Sequence, residues 1–215
     1  LFLHDQVPED IRVRSKLWYD GANRIAVDMA KNYGVSKEQV SAIMAAMSPQ
    51  KDWFQNVSMA ERALDVMTEQ GDKAWNDNML KYAKSYVEEA TSRKEREKRE
   101  IAFKQIQNVA RAGTSLNDMD IDDAAAFIRA YDEAYHSREY RIVTPEGGFG
   151  DLVRKNDGNP ATMMWSTYDP IKKSVSIFRN GSRKNISEQL GEEHKIRSFY
   201  NNIAAPNSDI GHVTI

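Results

Sequence analysis

Val40-Ser41-Ala42-Ile43-Met44-Ala45-Ala46-Met47-Ser48-Pro49-Gln50-Lys51-Asp52-Trp53-Phe54-Gln55-Asn56-Val57-Ser58-Met59-Ala60 is the stretch whose reading decides the fold. Val40, Ile43, Met44 and Met47 recur at the three- and four-residue steps of one helix face. Ser48 offers a side-chain oxygen as an N-cap, and Pro49 suits the first position of a new helix because its missing N–H costs nothing there. Trp53, Val57, Ala60, Leu64 and Met67 continue the apolar periodicity. The reading is helix, corner, helix, with Gln50, Lys51 and Asp52 presented at the edge of a rigid scaffold, which is what a site needs.

Upstream, residues 8–33 read as one helix. Glu9 and Asp10 suit its first turn, and Ile11, Leu17, Trp18, Ala22, Ile25, Ala26, Met29 and Tyr33 form its apolar stripe. Gly34 sits where a helix C′ glycine belongs. Ser36-Lys37-Glu38-Gln39 is a capping box opening the next helix. Trp18, Asn23 and Arg24 are candidates to line a cleft, although core packing with a solvated polar face accounts for them more simply.

Downstream, a long helical stretch spans residues 74–112. Its middle, Arg93-Lys94-Glu95-Arg96-Glu97-Lys98-Arg99-Glu100, alternates in sign, which suits an exposed helix laced with i,i+4 pairs better than a phosphate-binding tract. Gly113 ends it. A shorter helix begins at Asn117 or Asp118 and buries Ile121, Ala124, Ala125, Phe127, Ile128 and Tyr131. From about 138 to 160, Pro145, Gly147, Gly148, Gly150, Gly158 and Pro160 break the periodicity, so a loop insertion is expected there, with a lid over a cleft as its function. Asp169 as N-cap with Pro170 in the first turn restarts helix, Asn180-Gly181 stops it, residues 186–190 add a short turn, and residues 194–203 form a last helix. Between Ile171 and Arg197 seven Lys and Arg stand against three Glu, a local excess of four that reads either as a phosphate-facing surface or as an ordinary solvated face.

Composition bounds what remains. A chain of 215 residues can form one domain with a sizeable core. There is no apolar run long enough to span a membrane and no signal peptide in Leu1-Phe2-Leu3-His4-Asp5, so a cytoplasmic location is expected. Zero cysteines exclude disulfides, Cys-ligated clusters and thiolate zinc sites. His4, His136, His194 and His212 lack ligand spacing, so no metal and no cofactor are expected. Thirty Lys and Arg against 32 Asp and Glu leave a net charge of −2, so any nucleic-acid surface must be local.

The corner, an apolar run followed by Met47-Ser48-Pro49-Gln50, Asp52 and Asn56, resembles the opening helical pair of the helix-hairpin-helix, endonuclease III-like DNA glycosylase superfamily. Near the other end, Leu190-Gly191, His194-Lys195-Ile196-Arg197-Ser198-Phe199-Tyr200-Asn201-Asn202-Ile203 and Val213-Thr214-Ile215 resemble the signature of a phage branch that includes thymine-hypermodification enzymes. The two blocks cover about a quarter of the chain. The resemblance implies an all-α, multi-helix, glycosylase-like single domain over residues 1–215 with the loop insertion. It implies a phage-encoded protein in the host cytoplasm that binds DNA and acts on a modified or damaged pyrimidine, by base excision or hypermodification. A small-molecule or amino-acid co-substrate goes with the second activity. Gln50 matches the wedge that fills the hole left by an extruded base. Lys51 is placed for a phosphate, Trp53 for stacking or simply for packing, and Asn56 for a tie to a neighbouring backbone. Lys195, Arg197, Tyr200 and Asn202 complete the expected nucleic-acid surface. The family's catalytic acid would follow Ile215, so the sequence is expected to be cut short there and no catalytic residue is assigned. The superfamily's Leu-Pro-Gly-Val-Gly phosphate-binding hairpin is also absent. Two alternatives follow: a catalytically inactive DNA-binding relative, or a phage accessory protein that binds a host protein.

Overall fold

The computed structural model describes residues 8–191 and 194–208, without the side chains of residues 12–16 and of His194. The terminal motif at 213–215, the acid expected beyond it, and His4 and His212 lie outside the described residues. The described chain is mostly helical. Its elements are α1 (Glu9–Tyr33), α2 (Lys37–Ala46), α3 (Trp53–Glu69), α4 (Asp77–Glu88), α5 (Arg93–Ala112), a 3-10 turn (Leu116–Asp118), α6 (Ile121–Tyr135), β1 (Arg141–Val143), β2 (Phe149–Leu152), α7 (Asp169–Arg179), α8 (Arg183–Leu190) and α9 (His194–Ala204). No helix among the described residues is long and apolar enough to cross a membrane.

α2 is the centre. Every residue from Val40 to Ala46 is buried, and α1, α3, α7, α8 and α9 all pack on it. Its sequence allows this: small alanines alternate with Ile43 and Met44, and the one buried hydroxyl, Ser41, donates back to the Lys37 carbonyl at 2.8 Å. Ser36 and Gln39 close the expected capping box. The Gln39 amide also donates to the carbonyls of Ile177 and Phe178, each at 3.0 Å, which fastens the end of α7 to the start of α2. Gly34 takes the left-handed conformation (φ +66°) that ends α1.

Several expectations are corrected. The stripe of α1 holds from Ala22 onward, but Ile11 and Leu17, expected in it, are 48% and 45% exposed. The stretch 74–112 is two helices. Asn76 caps α4, and Ser92 caps α5 by accepting from the Glu95 amide, a start signal inside the charged run. α6 begins at the Asp120 cap rather than at residue 117 or 118, and Ile121, expected in the core, is 40% exposed. α7 starts at Asp169, with Tyr168 rather than Asp169 at the cap position.

The insertion is an ordered antiparallel hairpin, not a structureless loop. Arg141 pairs with Leu152 and Val143 with Phe149, and isolated bridges at Glu139–Thr162 and Arg154–Pro160 extend it. It does not behave as a free lid. β1 packs on α3, and the turn at Pro145–Gly147 presses on α1 at Gly21. A Cβ on Gly21 would fall 2.0 Å from the Pro145 carbonyl oxygen, so only glycine permits that approach.

Candidate nucleic-acid interface

The corner folds differently from its first reading. Ser48 caps nothing ahead of it; its hydroxyl donates back to the Ala45 carbonyl at 2.8 Å. The residue that caps α3 is Asp52, which accepts from the Gln55 amide at 2.9 Å. Between them, Pro49 to Lys51 form an exposed turn, not the first turn of a helix. A carboxylate directly before Trp53 outcompetes the Ser-Pro signal four residues earlier because it satisfies the orphan amides of the new helix. Gln50, at the tip, is the one non-glycine residue with positive φ (+59°) among the described residues. Holding an L-residue there costs about 1–2 kcal/mol, and such strain concentrates at functional sites.

Beside the turn lies a half-buried aromatic cluster. The Trp18 ring on α1 is 4.7 Å from Trp53 and 6.2 Å from Phe199 on α9, and Trp53 meets Phe199 edge-on at 6.0 Å. Tyr19 adds an edge contact to Trp18 at 4.8 Å. The corner and the last helix, far apart in sequence, therefore meet on one face. Asn23 holds them there: its amide donates to the Ile203 carbonyl at 2.8 Å and to the Ala204 carbonyl at 3.3 Å, capping the end of α9. Arg24 donates to the Glu146 carbonyl at 3.2 Å and so ties the hairpin turn to the same stretch of α1.

The other predicted residues divide. Lys51 flanks the cluster and donates to the Met164 carbonyl at 3.0 Å. Asn56 is buried, and its Oδ1 has no hydrogen-bond partner among the described residues, so the expected tie to a neighbouring backbone is not made there. Asn202 lies one turn beyond Phe199 on α9, half-buried. Tyr200 looks elsewhere. Burial raises its hydroxyl pKa, Glu38 at the far end of α2 adds to the rise, and Arg183 and Arg197 oppose it. Arg197 donates to Ser187, to Oγ at 2.6 Å and to the carbonyl at 3.2 Å, which locks α9 to α8. Lys195 is exposed.

The basic excess of residues 171–197 is largely engaged within the fold. Lys172 pairs with Asp122 at 2.5 Å, Lys173 with Asp169 at 3.0 Å, and Lys184 with Glu188 at 3.9 Å. Arg179 donates to the carbonyls of Met119 and Leu116. The solvated-face reading fits these partners better than the phosphate-facing one.

Sequence reasoning missed a second polar centre. Asp132 on α6 is fully buried and accepts from Nε and Nη2 of Arg62, from the Trp165 indole at 2.7 Å and from Nδ1 of His136 at 2.8 Å. Burial pushes its carboxyl up, but the hydrogen bonds from His136, Arg62 and Trp165 outweigh that and hold it below the ordinary aspartate value. The centre joins α3, α6 and the segment before α7. Because Lys51 grips the carbonyl of the residue next to Trp165, the same segment braces the corner. The only clue was His at i+4 from an Asp on an otherwise apolar helix face.

With this geometry in place, the match of residues 3–126 to the model of a family described as "Family of unknown function (DUF7178)" can be located in the fold. The chain belongs to that family. The DUF7178 match takes in α1 to α5 and the front of α6, with Trp18, Asn23, Gln50, Lys51 and Trp53. It leaves out Asp132, the hairpin and α9. No curated protein and no solved structure matches the chain. Among the described residues no group of His, Asp and Glu is arranged to hold a metal ion.

Proposed function

We propose that this chain has a helix-hairpin-helix glycosylase-like fold and binds DNA at the face formed by the corner, α1 and α9, where it receives a modified or damaged pyrimidine drawn out of the stack. One observation carries the reading: Trp18, Trp53 and Phe199 form a half-buried aromatic face, and the strained, exposed Gln50 stands three residues before Trp53. Aromatic faces stack on bases at about 1–3 kcal/mol per base, and a rigidly presented side chain next to them is placed to fill the vacated stack. Lys51 supplies a cation at the corner, exchanging the Met164 carbonyl for a phosphate oxygen. No catalytic residue is assigned, so excision, hypermodification and binding without chemistry share this interface.

Fluorescence anisotropy of a labelled duplex, measured across a salt series, tests the proposal. Binding should weaken linearly in log–log coordinates with added salt, and Trp53→Ala should weaken it at least tenfold. Lys51→Ala should lower the salt slope by about 1, the release of one counterion. A zero salt slope would remove the nucleic-acid reading and leave that of an accessory protein binding a host protein.

A further inference from the structure

A second concave region shares no residue with that face. It is a cavity of about 530 Å³ between α4, α5, α6 and the start of α7, within the range that holds small molecules. Three helices make room for it by presenting one alanine each: Ala83 on α4, Ala102 on α5 and Ala126 on α6. Phe103 and Ile106 on α5 face the Tyr86 side of α4 across it. Ile101 also lines the cavity and is 69% exposed, so the space opens to solvent over α5.

The charges in its wall answer one another. Arg99 pairs with Glu95 at 2.5 Å and lies over the Tyr86 ring at 3.8 Å, and Lys172 pairs with Asp122 at 2.5 Å. Lys98 is exposed, where water serves it. Asp123 is the exception. It is 7% exposed, lines the cavity from the first turn of α6, and has no ion-pair partner among the described residues. Burial and the neighbouring Asp120 push its carboxyl up, and Gln105 on α5 is the one donor that opposes them. A carboxyl keeps an accepting oxygen whether or not it is protonated, so Asp123 has capacity for a donor inside the cavity. A cation would gain little there, because Arg99 and Lys172 stand in the same wall.

We infer that this cavity is a binding site for a small uncharged aromatic molecule with one ring N–H or O–H, its ring held by the apolar wall of α5 and its donor on the Asp123 carboxyl. The site is independent of the DNA-binding face and does not rest on it.

Equilibrium dialysis of the full chain with indole and with 1-methylindole, which lacks only the N–H donor, tests the inference. Added methyl surface favours burial, so apolar attraction alone would rank 1-methylindole first. The reverse order is expected: one equivalent of indole, bound at least tenfold tighter than 1-methylindole. Asp123→Ala should erase that preference while 1-methylindole still binds. Ala102→Trp, at an exposed position of α5 that lines the cavity, should abolish binding of both by filling the space. Trp53→Ala should leave both affinities unchanged, and tryptamine and indole-3-acetate, which add a charge of either sign, should bind no tighter than indole. The inference is overturned if indole does not bind at millimolar concentration or has no advantage over 1-methylindole. It is equally overturned if the preference survives Asp123→Ala, if binding survives Ala102→Trp or is lost with Trp53→Ala, or if a charged indole binds tenfold tighter. Should Asp123→Ala fail to fold, the order of the two indoles and the Ala102→Trp variant decide the matter by themselves.

Discussion

Asp132 and Gln50 mark two regions built on opposite principles, joined by the three residues from Met163 to Trp165. Around Asp132 four donors converge on one fully buried carboxylate, and each comes from a side chain packed in place. Around Gln50 the backbone is strained, the aromatic rings are only half covered, and the buried Oδ1 of Asn56 goes unanswered among the described residues. Natural chains satisfy local rules where only stability is at stake and break them where something else is selected. Under the proposed function, the Asp132 centre is the brace and the corner is the part held ready for a ligand.

The contrast can be broken from the brace side first, where the effects are largest. Asp132→Asn leaves Arg62 buried without its counter-charge and should cost about 3–5 kcal/mol in denaturant unfolding. It should also change the acid limb of the stability curve. The folded pKa of Asp132 is depressed, so its contribution is present above the unfolded value of about 3.9 and is lost as pH falls through the folded value. Wild type should accordingly lose stability more steeply than Asp132→Asn below about pH 4. Trp165→Phe keeps an aromatic group but removes one donor to a charged acceptor and leaves a smaller ring in a buried site, for an expected loss of at least about 1.5–3 kcal/mol. Gly21→Ala sets a methyl group against the Pro145 carbonyl and should cost about 1–3 kcal/mol as the hairpin shifts, seen as faster proteolysis between residues 141 and 152.

On the corner side the sign reverses and the size falls. Gln50→Gly relieves the left-handed strain and should stabilise the fold by about 1 kcal/mol while weakening DNA binding. A variant that is both less stable and unchanged in binding would make Gln50 an ordinary turn residue.

What was legible in the sequence follows from which forces are local. The capping box at Ser36–Gln39, the glycine stops at 34 and 113, and the buried face of Val40 to Met47 are written in adjacent residues, and they hold. The corner was misread because two caps competed within five residues, and the aspartate nearer the helix prevailed over Ser48-Pro49. The split of the long charged stretch at Ser92 was hidden by the charges that surround it. The hairpin escaped because its strands are three and four residues long and owe their order to Gly21 on a distant helix. At the candidate site, Trp53 and Lys51 were named from sequence. Trp18 and Asn23 were named too, as cleft candidates, but that Asn23 caps α9 and that Phe199 joins the aromatic cluster depend on how α9 lies against α1. Tyr200 and Arg197 share a helix with Phe199, yet they turn toward α2 and α8, a matter of helical phase that a motif read as a string does not show.

The account depends on the corner and the last helix acting as one receiving surface for a base. The most direct measurement is the emission of 2-aminopurine placed at a mismatch in duplex DNA, titrated with wild type, Trp53→Ala, Phe199→Ala and the double variant. The account predicts a change in emission on binding, a loss with each single variant, and a double-variant loss smaller than the sum, with a coupling of about 1 kcal/mol or more. Binding that leaves the emission unchanged, or single losses that simply add, would contradict it.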